Sequence, residues 1–167
     1  PAGVHPAVPF LDLRAPYLEL RAELDAAIGG VLESGWYLLG EPLRAFEREF
    51  AEYVGARHCV GLANGLDALR LGLMALDVGP GDEVIVPSNT YIATWLAVSE
   101  VGARIVPVEP DPGTYNITPE AVEAAITPRT KVVLPVHLYG QPVDLPGIRA
   151  VADRHAVRVL DDAAQAH

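Results

Sequence analysis

Hydrophobic positions along the chain follow two different rhythms. Between Pro16 and Glu33 they fall at Leu18, Leu20, Leu24, Ile28 and Leu32, close to the helical period, and Gly35 follows as a stop. Trp36-Tyr37-Leu38-Leu39-Gly40 reads as a turn-like break. A second amphipathic helix then places Leu43, Phe46, Phe50 and Tyr53 on one face, with Gly55 as its end. Beyond that point short apolar runs alternate with helix-period segments. The predicted strands are His58–Leu62, Glu83–Pro87, Arg104–Val108, Lys131–Val136 and Val157–Leu160. The predicted helices between them are Gly65–Leu76, Tyr91–Val101, Pro119–Ile126 and Leu145–His155.

The strand runs are rich in Val and Ile with little polar alternation, as in strands covered on both faces. Strand and helix in regular succession predict an α/β fold with a mostly parallel sheet and helices on both faces. The organisation expected is an N-terminal helical segment over residues 1–56, followed by an α/β domain over 57–167. Gly79-Pro80-Gly81-Asp82 and Pro110-Asp111-Pro112-Gly113 punctuate the joints, and no internal repeat or low-complexity tract is visible.

Composition narrows the function classes. The 167 residues are 50% hydrophobic and 20% charged, enough for one compact domain with a core. No apolar run has membrane-spanning length, and the first residues lack the basic flank and apolar core of a signal peptide, so a soluble, cytoplasmic protein is expected. Twelve basic against 22 acidic residues give a net charge of −10, which argues against nucleic acid as a partner. The single cysteine, Cys59, excludes an internal disulfide and reads as a buried structural thiol. Lys131 is the sequence's one lysine.

In an open α/β sheet, ligands bind at the carboxyl ends of the strands. That rule selects Ala63-Asn64-Gly65-Leu66-Asp67, Ser88-Asn89-Thr90-Tyr91, His137-Leu138-Tyr139-Gly140 and Asp161-Asp162-Ala163-Ala164-Gln165. Gly65 and Leu66 open a helix, where free N–H groups and the helix dipole favour an anion; a plain Asn64 cap with a tight turn explains the same residues. Tyr91 could stack on a planar ligand or be a half-buried core tyrosine. Asp161 and Asp162 could cap a turn, pair with a cation or hold a pyridine nitrogen protonated. A metal is disfavoured, because Gln165 and His167 make poor partners for a hard cation. His137 could face a ligand or simply pack, while His5, His58 and His155 read as structural or solvated.

Taken in order, several segments resemble the DegT/DnrJ/EryC1/StrS family of pyridoxal-phosphate (PLP) dependent sugar aminotransferases. The resemblance runs from Val8-Pro9-Phe10-Leu11-Asp12-Leu13 through Ser34–Gly40, Phe46–Ala51, Ala63–Leu69, Gly79–Pro87, Thr90–Thr94 and Pro135–Pro142 to Asp162–His167. It implies the N-terminal part of the large domain of a type I PLP-dependent transferase, commonly a homodimer. It also implies roles for matching positions: Gly65 and Leu66 at the cofactor phosphate, Tyr91 on the ring, Asp162 at the pyridine nitrogen and Gln165 at the phenolic oxygen. The activity implied is transfer of an amino group from a donor such as glutamate to a nucleotide-linked keto-deoxysugar, in biosynthesis of amino sugars for antibiotics or glycans. Asn64-Gly65-Leu66-Asp67 looks like the subgroup acting on 3-keto-6-deoxy sugars.

The family's Schiff-base lysine is expected beyond His167, so the catalytic residue is not among those read here, and the chain is expected to be an inactive fragment of a longer enzyme. Lys131, at the start of a strand, is expected at the wrong end of the sheet to replace it. Two alternatives stay open at this point: a PLP-dependent sugar dehydratase of the same family lacking the lysine, and a non-catalytic cofactor-binding or regulatory protein. A plain α/β domain with a different ligand is a further possibility.

Overall fold

The computed structural model describes residues 9–166, so His5, Val8 and His167 lie outside the described residues. The chain forms two compact units that divide between Gly61 and Leu62.

The first unit holds α1 (Arg14–Ser34) and α2 (Glu41–Tyr53). Gly35, at φ 64°, closes α1 by returning its N–H to the Leu32 carbonyl, the left-handed stop that a glycine makes without strain. Pro42 starts α2 where a missing N–H costs nothing. No residue of α1 is buried, and α2 buries only Ala51.

One predicted strand is absent. His58–Leu62 pairs with no strand among the described residues, and Val60 and Leu62 stand 71% and 44% exposed. A strand needs a ladder, but the Gly61 N–H is taken by the Glu47 carboxylate on α2 at 2.8 Å. Cys59 on this segment is only half-buried, which corrects the reading of it as a buried thiol.

The second unit is an α/β layer structure. In chain order it comprises α3 (Gly65–Ala75), β1 (Glu83–Pro87), α4 (Ile92–Glu100), β2 (Arg104–Val108), α5 (Pro119–Ala125) and β3 (Thr130–Val133). A short 3-10 turn (Leu138–Gly140), α6 (Leu145–Arg154) and β4 (Arg158–Val159) complete it. All four strands are parallel, in the order β2-β1-β3-β4. The last two strands are shorter than predicted, yet pairing continues past them: Leu134 N–H donates to the Ile85 carbonyl, and Val136 bridges Asp162.

Successive residues of a strand face opposite layers. Val84, Val86, Val132 and Leu134 pack with Leu69 and Leu73 of α3 and Ala97 and Val98 of α4. Ile85 and Val133 pack with Val122 of α5 and Ile148 and Val151 of α6. Burying each such side chain contributes about 1.5–3 kcal/mol, so the continuous Val84-Ile85-Val86 run holds both layers at once. Asn64, Thr118 and Asp144 cap α3, α5 and α6 by accepting from backbone N–H groups three residues on.

The connection leaving β1 runs to one side over the α3/α4 face, and the one leaving β3 runs to the other side over the α5/α6 face. Between their carboxyl ends the sheet has a crevice, the topological switch point where open α/β sheets take ligands.

Candidate functional site

A cavity of about 510 Å³ opens at that crevice. The start of α3 contributes Asn64, Gly65 and Leu66, the segment after β1 contributes Thr90 and Tyr91, and the tail after β4 contributes Asp162 and Gln165. Its walls are apolar, from Leu69, Leu96, Val136 and Leu138. Gly65, Leu66, Tyr91, Asp162 and Gln165, from three separate stretches of the sequence, therefore line one cavity.

Each polar group is held differently. Asn64 Oδ1 accepts from Asp67 N–H at 2.9 Å, and the Asn64 carbonyl takes the Ala68 N–H. That leaves the N–H groups of Gly65 and Leu66 without a partner among the described residues, at the positive end of an 11-residue helix. A Cβ built on Gly65 would meet nothing within 4 Å, so the space over the helix start is open. Tyr91 caps α4 in extended conformation instead of beginning it, and its side chain is 74% exposed.

Asp162 is fixed by its backbone. Its N–H donates to the Pro135 carbonyl and its own carbonyl accepts from His137 N–H, so sheet pairing carries it past the end of β4. Asp162 Oδ1 accepts from Ala164 N–H at 3.0 Å, which is the turn cap weighed from sequence; Oδ2 has no partner among the described residues. Gln165 Oε1 accepts from Tyr139 N–H at 2.6 Å.

The sequence left His137 open and expected Lys131 away from the site. His137 is buried, its Nδ1 accepts from Val143 N–H at 3.1 Å, and its Nε2 lies 3.5 Å from Asp161. Accepting at Nδ1 places the proton on Nε2, toward that carboxylate. His137 is thus a packing residue, and Asp161 serves it. Lys131 lies at the opposite edge of the sheet, with Nζ on the Asp77 carbonyl and 3.4 Å from Asp82. Among the described residues no three His, Cys, Asp or Glu side chains gather as a metal set would. None of the described helices is long and apolar enough to cross a membrane.

Sequence reasoning quoted Thr90 and Thr94 only within segments and gave them no role; their hydroxyls meet at 2.9 Å on the cavity wall. The available signal was a polar residue on the buried face of α4: Thr94 is 1% exposed beside Ala97 and Val98.

Comparison with known proteins gives the arrangement a context. The model of the DegT/DnrJ/EryC1/StrS aminotransferase family matches residues 19–167. A dTDP-3-amino-3,4,6-trideoxy-alpha-D-glucose transaminase of Streptomyces venezuelae is 60% identical over 162 residues, 97% of this chain and 43% of that protein. The erythromycin biosynthesis sensory transduction protein EryC1 of Saccharopolyspora erythraea is 60% identical over 159 residues, 95% of this chain and 43% of that protein. Among solved structures, S. venezuelae DesV in complex with a ketimine intermediate superposes with a TM-score of 0.96 at 60% identity, covering 98% of this chain and 44% of that one. Bacillus subtilis NtdA with bound cofactor PMP gives a TM-score of 0.91 at 37% identity, covering 99% and 38%. The chain spans less than half the length of the curated relatives it matches.

Proposed function

This chain belongs to the DegT/DnrJ/EryC1/StrS aminotransferase family, and from that premise we propose that the intact protein is a PLP-dependent aminotransferase acting on a nucleotide-linked 3-keto-6-deoxyhexose. Glutamate is the amino donor, the product is an amino-deoxysugar, and the working unit is a homodimer. What carries the reading is the meeting of Gly65, Leu66, Tyr91, Asp162 and Gln165 around one cavity at the switch point.

The donor set fits the cofactor. The volume is in the ordinary range for a cofactor pocket, and the open space over Gly65 admits a phosphate to the helix start. Two free N–H groups suit the phosphate oxygens, a phenol face suits the pyridine ring, a carboxylate oxygen without a partner suits the ring nitrogen, and a carboxamide suits the phenolic oxygen. When bound, PLP supplies an electron sink for the negative charge left at carbon when a proton is removed.

The chain's own residues bind and tune that group. Gly65 and Leu66 N–H donate to the phosphate and anchor it against the positive end of α3. Tyr91 covers one face of the ring and excludes water from it. Asp162 holds a proton on the ring nitrogen through the oxygen that Ala164 leaves free, which keeps the ring electron-poor. Gln165 donates to the phenolic oxygen, and the apolar walls from Leu69, Val136 and Leu138 lower the local dielectric around these contacts.

The test is spectroscopic. The intact protein, loaded with PLP, should lose its PLP absorption on addition of L-glutamate and regain it on addition of a dTDP-3-keto-6-deoxyhexose. A protein that takes up no PLP, or whose bound PLP ignores glutamate, removes the aminotransferase reading. A glutamate response with no reversal by that sugar would leave the transferase and reject the acceptor.

A further inference from the structure

Gln165 is held from behind by a strained turn. An N–H can only donate, so the atom of Gln165 that meets Tyr139 N–H is its carbonyl oxygen, and the free end of the carboxamide is the Nε2 donor. Tyr139 and Gly140 stand consecutively in the left-handed region, at φ 59° and 77°. A Cβ on Gly140 would sit 3.3 Å from the Gln165 backbone carbonyl oxygen, a tight approach, and at φ 77° any side chain there would be strained. On its other side the turn is pinned by Asn116, 4% exposed, whose Nδ2 donates to the Gln141 carbonyl at 2.9 Å. A tyrosine kept at positive φ persists only where its surroundings over-determine it.

We propose that Tyr139 is a positioning residue: its left-handed backbone, held by Gly140 and Asn116, aims the N–H that fixes Gln165 so that the cavity meets an amide donor and not an acceptor. The proposal rests on the cofactor reading above and deepens it. A donor at this point stabilises an ionised phenolic oxygen, whereas an acceptor repels it. The Tyr139 side chain is 74% exposed and has no part in this role, although its edge meets the Tyr115 ring at 6.3 Å. The backbone conformation is what matters.

That distinction makes the test. The intact protein is compared with Tyr139→Asn, Tyr139→Val and Gln165→Glu, reading the Kd for PLP by fluorescence quenching and the pH profile of the bound cofactor's absorption, with no substrate present. Asn adopts the left-handed region readily and Val does not. Tyr139→Asn should match the wild type within about twofold, while Tyr139→Val should weaken PLP about tenfold, the loss expected for one hydrogen bond to a charged oxygen. Tyr139→Val should also raise the midpoint of the absorption profile. Gln165→Glu still accepts from Tyr139 but presents a carboxylate to the ligand, so it should shift both readings in the same direction and further. Should Tyr139→Val fail to fold by circular dichroism, Asn116→Ala, which frees the turn from the bond to the Gln141 carbonyl, takes its place and should weaken PLP and raise the midpoint in the same direction. Equal effects of Asn and Val, or an unchanged Gln165→Glu, overturn the proposal while the cofactor reading stands. A wild-type protein that takes up no PLP overturns both.

Discussion

The two ends of the sheet use polar residues in opposite ways. At the amino end, Glu83 opens β1 at 2% exposure and spends its carboxylate on protein partners: the Thr127 hydroxyl, Arg129 through Nε and Nη2 at 3.0 and 2.8 Å, and Arg104 at 3.4 Å. Beside it Asp82 accepts from Gly79 N–H at 2.9 Å and pairs with Lys131. At the carboxyl end each group keeps one valence open: Gly65 and Leu66 N–H, the second oxygen of Asp162, the amide nitrogen of Gln165 and the exposed ring of Tyr91. A polar group that is satisfied by its own fold stabilises; one that is oriented by a single bond and left half-used is ready for a ligand. Changes at the amino end should therefore cost stability and spare the cofactor, and changes at the carboxyl end should do the reverse.

The largest effect expected is at Asp162. Asp162→Asn keeps the shape and the Ala164 contact but cannot hold the ring nitrogen protonated, so aminotransfer should fall by about a thousandfold, on the scale of losing one preorganised electrostatic contact. The melting temperature should stay within about 2 °C of wild type, because the backbone pairing of Asp162 is untouched. A large drop in melting temperature with activity retained would reverse the comparison at its strongest point. Next comes Glu83→Ala, which leaves Arg129 and the Thr127 hydroxyl without their acceptor. It should lower the melting temperature by roughly 5 °C in a thermal scan, with the Kd for PLP unchanged within about twofold. Tyr91→Ala is smaller: PLP should bind about five- to tenfold more weakly for loss of a stacked ring, with no shift in melting temperature.

The same contrast marks what was legible in the sequence. A strand buried on both faces announces itself as an apolar run, and Glu83–Pro87 was readable to the residue for that reason; Arg104–Val108 was equally readable, although as an edge strand it buries fully only Val108. His58–Leu62 carries the same signal without being a strand, because composition does not say whether a ladder partner exists; Glu47 took the Gly61 donor instead. The strand-end rule brought Tyr91, Asp162 and Gln165 into view from element order, but it reached Gly65 and Leu66 only through His58–Leu62, which is not a strand here; what marks those two is the start of α3. The Glu83 network was invisible: Thr127 and Arg129 lie 44 and 46 residues away, and nothing local connects them. Tyr139 was quoted only as part of a segment, since a left-handed φ at a tyrosine leaves no mark in a one-dimensional pattern. In the first unit the apolar stripe on α1 was plain, but Leu18, Leu24, Ile28 and Leu32 remain exposed there. Periodicity predicts which face can be buried, not whether this unit buries it.

The smallest effect, and the one that isolates the amino end, is acid stability. The Thr127 hydroxyl and the Arg129 guanidinium, with a further contribution from Arg104, hold the Glu83 carboxyl below its ordinary range despite the opposing effect of burial. A carboxylate whose folded pKa is depressed favours the folded state at every pH above its unfolded value, about 4.3 for glutamate. That contribution fades as pH falls from there through the lower, folded pKa, where the native state also takes up the proton. Wild type and Glu83→Gln should accordingly differ most near neutral pH and converge below about pH 4. Urea midpoints measured across pH 3–7 would check this, with Asp162→Asn as the control from the other end of the sheet. If the wild-type and Glu83→Gln curves stay parallel down to pH 3, the arginines add nothing to the fold through Glu83. The amino end would then be no better satisfied than the carboxyl end, and the distinction between a finished structural network and an open binding site would have to rest on the cavity alone.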